Sequence, residues 1–257
     1  MADQHAEERY AHLLELLSRQ QFASIDDMQR ATNASAPTIR RDLALLEKRG
    51  LIKRVRGGAS LTSASSTLDE AFELRRMRNA REKGAIALAA AGLVEPRSSL
   101  LLNDGSTTLA LAEELVSQAQ PLWVATTGLN IGERLASLSV LEVVVIGGAL
   151  RGSSFGTVGP LATAALSQLT VDTTFLGCDG LDPELGARFN GLPDAEVAAA
   201  MARQGRRVVV LADGAKIGHR SRAGTLGWSE IDVLVTNQLS DEWQEQLRAA
   251  EVEVIQT

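Results

Sequence analysis

The chain has 257 residues, 45% of them apolar, and its 26 basic and 32 acidic side chains give a formal net charge of −6. No apolar run approaches the roughly 18 residues of a membrane-spanning helix, and the N-terminus lacks the basic start and apolar core of a secretory signal, so we expect a cytoplasmic protein without a membrane partner. The single cysteine, Cys178, excludes an internal disulfide and a Cys-based zinc site, and we expect neither a metal site nor a cofactor.

The N-terminal sixty residues predict three helices. Glu7 to Gln20 carries leucines at helical spacing, and Ser24 with Asp27 forms a capping box for a second helix over Ile25 to Thr32. A tight connection over residues 33–35 then leads into a third helix, predicted from Ala36 to Arg49. In this third helix Ser35 suits the N-cap, Pro37 lies in the first turn, and Gly50 supplies the stop.

A basic hairpin follows the third helix. Ile52 to Val55 is predicted as a strand, residues 56–58 as a tight turn, and Ala59 to Leu61 as the returning strand. Residues 40–56 hold seven basic and two acidic side chains, a local balance of +5 in an acidic chain. An ordinary solvated helix is the alternative, but three helices, a short turn and a hairpin together favour a winged helix-turn-helix that binds DNA.

Charge is divided between the two parts of the chain. Residues 1–60 carry ten basic and eight acidic side chains, a net of +2, which leaves −8 for the remainder. Phosphate would repel the acidic part, so the DNA contact is expected in the N-terminal part. The residues expected to contact DNA are Ser35, Pro37, Thr38, Arg40, Arg41, Lys48, Lys53, Arg54 and Arg56.

The segment Thr38 to Ala59, TIRRDLALLEKRGLIKRVRGGA, resembles the signature of the DeoR family of bacterial transcriptional regulators. In that family the Thr-Ile-Arg-Arg-Asp-Leu helix is the recognition helix, and Gly-Gly-Ala follows the wing. The resemblance therefore implies a DNA-binding regulator.

The rest of the chain predicts an α/β domain. We expect a winged helix-turn-helix over residues 1–60, a linker over 61–71, and a domain over 72–257 for effector binding and oligomerisation. Short apolar strands alternate with helices, which favours a mostly parallel, doubly wound sheet. The predicted strands are Leu100–Leu102, Trp123–Thr126, Val143–Ile146, Thr174–Gly177, Val208–Ala212 and Val233–Thr236.

Loops that follow the strands of such a sheet are where a ligand binds. Four of them have unusual composition: residues 103–108 combine hydroxyls, glycine and a helix start, residues 126–130 repeat that pattern, residues 147–151 add a cation, and residues 178–182 hold two carboxylates three residues apart. The predicted effector-binding residues are Asp104, Gly105, Ser106, Thr107, Thr108, Thr126, Thr127, Gly128, Gly147, Gly148, Arg151, Asp179, Gly180 and Lys216.

The resemblance to the DeoR family extends through these loops, from about residue 6 to 237. It implies an effector domain similar to sugar-phosphate isomerases and, through Leu211 to Gly218, points to Lys216 as a ligand-facing cation. The segment 103–108 departs from the family pattern, with Asn103 at the usual Asp and Ser106 at the first Thr. Backbone and hydroxyl donors remain, so phosphate capture is still expected.

Isomerase resemblance also raises the alternative of an enzyme. Asp179 to Asp182 resembles a loop of ribose-phosphate isomerases, and Glu196 corresponds to their glutamate, but their lysine-glycine stretch is missing from residues 187–193. We therefore expect binding without turnover, in a repressor of carbohydrate-metabolism genes that a phosphorylated sugar releases from double-stranded operator DNA. An isomerase-like enzyme with a DNA-binding head, a ligand-activated activator and a constitutive DNA-binder are the alternatives; paired half-sites predict a homodimer or homotetramer.

Overall fold

A computed structural model describes residues 6, 9–10, 12–14, 16–17, 20, 22–48, 51–61 and 68–257. The chain divides into two compact units, Met1–Arg81 and Glu82–Thr257. Residues 62–67 of the predicted linker, with Arg49 and Gly50, lie outside the described residues, while residues 68–77 are helical. The predicted domain boundaries stay a prediction.

The N-terminal unit is a winged helix-turn-helix, as predicted. All described residues between 6 and 20 are helical. They are followed by β1 (Phe22–Ser24), α1 (Ile25–Thr32), α2 (Ala36–Lys48), β2 (Ile52–Val55), β3 (Gly58–Leu61) and α3 (Leu68–Met77). The strands form an antiparallel sheet in the order β1-β3-β2.

Local sequence signals account for most of these boundaries. Ser24 caps α1, with its hydroxyl accepting from the Asp27 backbone N–H at 3.1 Å and its own N–H donating to the Asp27 carboxylate at 3.1 Å. Asn33 ends the helix in the left-handed conformation with φ 53°. Strand β1 was not predicted, because three residues leave no periodicity to detect. A Cβ at Gly58 would lie 2.1 Å from the Ala23 carbonyl oxygen, so this strand pair requires glycine there.

The C-terminal unit is built on a seven-stranded sheet whose neighbouring strands are all parallel. Its strands are β4 (Ser99–Leu102), β5 (Leu122–Thr126), β6 (Leu141–Val145), β9 (Val171–Gly177), β12 (Gly205–Leu211), β14 (Val233–Thr236) and β15 (Glu253–Gln256), in the order β15-β14-β12-β9-β4-β5-β6. The six predicted strands are confirmed: β14 has the predicted bounds, the other five begin one to three residues earlier, and β6 and β12 end one residue before their predicted ends. The seventh, β15, was missed.

Helices cover both faces of this sheet. They are α4 (Ala80–Ala91), α5 (Ser106–Gln118), α6 (Leu129–Leu135), α7 (Pro160–Leu166), α8 (Leu192–Ala202) and α9 (Asp241–Ala249). Alternate residues of β12 enter different cores: Val208 and Val210 pack in one, Val209 and Leu211 in the other. Burial on both faces explains why the strands are continuous apolar runs.

Two small antiparallel sheets correct the sequence-based description of the loops. A hairpin of β7 (Ala149–Arg151) and β8 (Gly156–Val158) replaces part of the predicted 147–151 loop. A second sheet joins β10 (Gly180–Asp182), β11 (Gly186–Phe189) and β13 (Ala223–Leu226), so the predicted 178–182 turn becomes a strand after its first two residues.

Candidate nucleic-acid interface and ligand site

Helix α2 presents a basic face to solvent. Ile39, Leu43 and Leu46 are buried, whereas Arg40 and Arg41 are exposed. Pro37 and Lys48 are exposed on the same side, and Thr38 is half-buried. Among the described residues, Arg40, Arg41 and Lys48 have no ion-pair partner, so their charges are available to an anion.

The start of α2 is capped by a serine. The Ser35 hydroxyl accepts a hydrogen bond from the Thr38 backbone N–H at 3.4 Å and shares one of 2.8 Å with the Thr38 hydroxyl. This cap satisfies one of the free N–H groups at the helix start, which the sequence pattern predicted.

The hairpin β2–β3 is attached to α2 and carries further cations. Lys53, Arg54 and Arg56 are exposed, and the Arg54 guanidinium lies 3.9 Å from a Glu47 carboxylate oxygen. The Arg54 backbone N–H donates to a Glu47 carboxylate oxygen at 2.9 Å, which ties the strand to the helix. Gly57 has φ +87° in the turn, and its carbonyl accepts from the Ile25 N–H at 3.0 Å. The two basic surfaces therefore keep a defined spacing.

Asp42 is a structural residue rather than part of the exposed charge of α2. It is 2% exposed, and its two carboxylate oxygens accept from Arg9 at 2.5 and 3.1 Å. Donating these hydrogen bonds to Asp42 raises the pKa of the Arg9 guanidinium above its ordinary value. Because this acid is already neutralised inside the unit, the exposed face of α2 is more basic than the sequence count suggested.

The candidate ligand site of the C-terminal unit lies where the strand order reverses. Strands β4 and β9 are neighbours, with β5 and β6 on one side and β12, β14 and β15 on the other. All seven strands end at the same edge because they are parallel. A crevice outside the carboxyl ends at such a reversal is the usual ligand position in this architecture.

Helix α5 begins at this point without a side-chain cap. Its N-cap, Gly105, has φ +141°, a conformation that favours glycine, and among the described residues no side-chain hydrogen bond caps the helix. The Thr108 hydroxyl donates to the Gly105 carbonyl at 3.1 Å, whereas Ser106 and Thr107 make no side-chain hydrogen bond with any described residue. Free N–H groups and two free hydroxyls at a helix start suit an anion.

The next loop uses its hydroxyls internally. Thr126 and Thr127 are fully buried. The Thr126 hydroxyl accepts from the Gly128 N–H at 3.0 Å, and the Thr127 hydroxyl accepts from the Asp104 N–H at 3.2 Å. These residues join the loops after β4 and β5, which leaves them poorly placed to contact a ligand directly.

The β7–β8 hairpin packs against the loop after β4. A Cβ at Gly156 would lie 2.3 Å from the carboxyl carbon of Asp104, so the hairpin approaches this carboxylate closely. Gly147 is exposed, and a Cβ at Gly148 would lie 2.8 Å from the Val158 carbonyl oxygen. Gly148 thus allows the close approach to the Val158 backbone, a side chain at Gly147 would meet nothing within 4 Å, and a side chain at Gly156 would displace the Asp104 carboxylate.

Arg151 has a partner that the sequence did not suggest. Its guanidinium forms an ion pair with Asp194, in the first turn of α8, and lies 3.5 Å from the Ser153 hydroxyl. Arg151 is directly across the hairpin from Gly156, so this ion pair borders the loop that holds Asp104.

The loops after β9 and β12 bring opposite charges together around Cys178. Lys216, Asp179 and Asp213 all act electrostatically on this thiol, and burial raises its pKa to about 12. The thiol is therefore protonated at neutral pH and a poor nucleophile. Lys216 ends a short 3-10 turn, where its N–H donates to the Asp213 carbonyl at 2.9 Å.

The second carboxylate of the Asp179–Asp182 segment, that of Asp182, is buried and bonded within the protein. Asp182 is 2% exposed and accepts from the backbone N–H groups of Glu184 at 2.9 Å and Leu185 at 3.1 Å. Burial opposes its charged form, but these hydrogen bonds and the nearby Arg220 lower the pKa of Asp182. Gly180, which was also predicted to bind the effector, lies in β10 beneath the backbone of His219.

Other kinds of site find no support in the part of the chain that the structure describes. No group of three or more His, Cys, Asp or Glu side chains there could hold a metal ion, and no helix there is long and apolar enough to cross a membrane. A surface groove of about 530 Å³ runs between α9 and β15, at the far edge of the sheet from the β4–β9 reversal.

Comparison with known proteins gives two family matches. A model of the DeoR-like helix-turn-helix domain matches residues 9–65, and a model of the DeoR C terminal sensor domain matches residues 78–238. The HTH-type transcriptional regulator GolR of Listeria innocua is 32% identical over 90% of each chain. The putative aga operon transcriptional repressor of Escherichia coli O157:H7 is 29% identical over 96% of this chain and 93% of that protein.

Solved structures give a weaker likeness. Ribose 5-phosphate isomerase A from Methanocaldococcus jannaschii matches with a TM-score of 0.40 at 19% identity, covering 54% of this chain and 55% of that one. A likeness of that size says nothing about activity.

Proposed function

Because the chain belongs to the DeoR family of transcriptional regulators, we propose that it is a repressor of carbohydrate-metabolism genes whose operator binding is relieved by a phosphorylated sugar. In this proposal the N-terminal unit binds DNA, and the crevice between the ends of β4 and β9 binds the sugar phosphate. The observation that carries it is the uncapped start of α5 at the strand-order reversal.

In this proposal α2 enters the major groove of the operator. Thr38, Arg40 and Arg41 lie near its N-terminal end, where recognition helices contact base edges and phosphates. Lys53, Arg54 and Arg56 on the hairpin contact the flanking backbone. The affinity is strongly salt-dependent, since each phosphate contact releases counterions.

The phosphate of the effector binds at the start of α5. Its oxygens accept from the N–H groups of the first turn and from the Ser106 and Thr107 hydroxyls. Lys216 supplies a positive charge from the loop after β12, and Asp179, in the loop after β9, which lies between β4 and β12, accepts from sugar hydroxyls. A small sugar that carries one phosphate and several hydroxyls therefore matches the donors and acceptors that the crevice offers.

The site supports binding better than isomerisation. A sugar-phosphate isomerase needs a base to move a proton and a cation to stabilise the enediolate. Glu196 is exposed on α8, and the helix residues that follow it, 198–200, are buried alanines. Asp179 accepts a hydrogen bond from the Asn190 N–H at 2.8 Å. We propose that the protein binds its ligand without turnover.

Release from DNA requires the ligand to bind one arrangement of the protein better than another. The N-terminal units of two subunits in a homodimer or homotetramer would contact paired half-sites, and the sugar phosphate would bias the arrangement of these units. A transcriptional regulator acts on chromosomal DNA, in line with the expected cytoplasmic location. A ligand-activated activator would use the same site with the opposite bias.

A thermal-shift panel tests the ligand class. The full chain is melted with aldose and ketose monophosphates, with the corresponding free sugars, and with inorganic phosphate. We expect stabilisation by at least one sugar phosphate and little by its free sugar. The same mixtures are assayed for aldose–ketose conversion; turnover would favour the isomerase alternative, and no shift with any sugar phosphate would favour a constitutive DNA-binder.

A further inference from the structure

The small sheet beside the crevice carries an arginine between two glycines. Gly180, Arg188 and Gly224 are register partners across β10, β11 and β13. A Cβ at Gly180 would lie 2.1 Å from the His219 carbonyl oxygen, and one at Gly224 would lie 2.0 Å from Nη1 of Arg188. Because these two glycines have no side chains, the Arg188 side chain and the backbone near residue 219 can lie directly against the sheet.

Arg188 attaches the segment 217–222 to this sheet. Its Nε donates to the Ser221 carbonyl at 3.2 Å, and its Nη2 donates to the Arg222 carbonyl at 3.3 Å. The planar guanidinium can reach both oxygens at once, which a single ammonium group cannot do with the same geometry. The segment is therefore held through its backbone, irrespective of its own side chains.

The held segment leads directly from Lys216. The Gly218 N–H donates to the Leu181 carbonyl at 2.9 Å, and the His219 N–H donates back to the Lys216 carbonyl at 3.1 Å. On its other side, Lys216 follows a turn that Asp213 caps through the Ala215 N–H at 3.0 Å. The position of Lys216 thus depends on both the turn and the 217–222 segment.

The backbone of Arg188 also bonds to the loop after β9. Its carbonyl accepts from the Asp179 N–H at 2.9 Å. One residue of β11 is therefore bonded both to Asp179, after β9, and to the segment that continues from Lys216, after β12. Both of these charged residues, together with Asp213, act electrostatically on Cys178.

We propose that Arg188 is a positioning residue of the effector site, setting the separation of Lys216 and Asp179 without touching the ligand. This inference rests on the proposed function for the identity of the ligand, but the positioning itself can be measured without one. Arg188 acts through its two side-chain hydrogen bonds; loss of these bonds lets the 217–222 segment move and carries Lys216 away from the crevice.

Hydrogen exchange of the ligand-free full chain tests the positioning. In Arg188→Ala we expect the Gly218 and His219 amides to exchange at least about tenfold faster, as expected for the loss of two hydrogen bonds from a charged donor, with β4 and β5 unchanged. Arg207→Ala, which removes the ion pair to Glu253 near the starts of β12 and β15, away from the Lys216 turn, is the matched control and leaves these amides slow. Unchanged exchange in Arg188→Ala would overturn the proposal.

A second variant reaches the same segment without removing a charge. Gly180→Ala places a methyl group against the His219 carbonyl and should also speed exchange at Gly218 and His219. Arg188→Lys retains the charge but has a single donor head, so exchange should fall between the wild type and Arg188→Ala. If Arg188→Lys kept the Gly218 and His219 amides as slow as in the wild type, charge alone would suffice. That result would contradict a role for the two hydrogen bonds of the guanidinium.

Binding of the sugar phosphate with the largest thermal shift gives the functional readout. Arg188→Ala should weaken its affinity about tenfold, and adding Lys216→Ala should cost less than about twofold more, because Lys216 is already displaced. If the affinity losses of Arg188→Ala and Lys216→Ala added in full in the double variant, Arg188 would not act through Lys216. If the wild type binds no sugar phosphate, the proposed function is wrong, and the exchange measurement still decides the role of Arg188.

Discussion

Asn103 joins the two strands at the strand-order reversal, and one substitution tests its role. Its side-chain amide donates to the Gly177 carbonyl at 2.9 Å and accepts from the Gly177 N–H at 2.8 Å, while the residue is only 6% exposed. An amide can satisfy both groups because it combines N–H donors with a carbonyl acceptor. Asn103→Asp keeps the shape but places a carboxylate oxygen against the carbonyl.

The expected cost follows from that contact. An unsatisfied buried polar group costs about 1–3 kcal/mol, and more when charged, so Asn103→Asp should lower the free energy of unfolding by about 3 kcal/mol at pH 7. The folded state raises the pKa of the new carboxyl above its unfolded value of about 3.9, because only the protonated form can donate. The penalty is therefore complete above the folded pKa and shrinks as pH falls.

Urea unfolding followed by tryptophan fluorescence measures this cost, because Trp123, Trp228 and Trp243 all lie in Glu82–Thr257. Asn237→Asp is the matched control: the Asn237 side chain accepts from the Gly214 N–H at 2.8 Å, which a carboxylate also does. We expect a large loss at pH 7 and a smaller one at pH 5 for Asn103→Asp, with little change in the control. Equal stability of the two variants would refute the reasoning.

Three further predictions concern charged residues. Arg41→Ala should weaken operator binding by about 1–3 kcal/mol and reduce the salt slope by about one, measured by fluorescence anisotropy, while Arg134→Ala, an exposed arginine of the other unit, should do neither. Ser99 donates from its hydroxyl and N–H to Asp172 and lowers the pKa of that carboxyl. The stability that this contributes is present above about pH 4 and is lost as pH falls. Asp172→Asn should therefore reduce the fall of the melting temperature at acid pH. Asp42→Ala should destabilise the N-terminal unit by about 2 kcal/mol, measured by thermal melting, yet leave operator affinity near normal at low temperature. A loss of affinity without a loss of stability would contradict the structural role of Asp42.

Elements with local signals could be predicted from the sequence. The Ser24–Asp27 capping box gave the bounds of α1, and apolar spacing gave the buried face of α2. Continuous apolar runs gave six of the seven strands of the parallel sheet, because burial on both faces removes the alternation that marks a half-exposed strand. Each of these signals depends on residues within a few positions of one another.

Contacts between distant segments could not be predicted in the same way. Asp42 has an ordinary position on the side of α2, and only its contact with Arg9 shows that it is buried. The hydroxyls of Thr107 and Thr127 look equivalent in sequence, yet Thr127 bonds to the loop after β4 whereas Thr107 makes no side-chain hydrogen bond with a described residue. The ion pair of Arg151 likewise depends on a partner 43 residues away.

Operator release by a sugar phosphate tests the central claim most directly. Fluorescence anisotropy of labelled operator DNA is recorded with the full chain, with and without the sugar phosphate that stabilises it, for the wild type and for Thr107→Ala combined with Lys216→Ala. The account predicts equal DNA affinity without ligand, release of the wild type by the sugar phosphate, and retention of the double variant on the DNA. Normal release of the double variant would contradict it by placing the effector elsewhere.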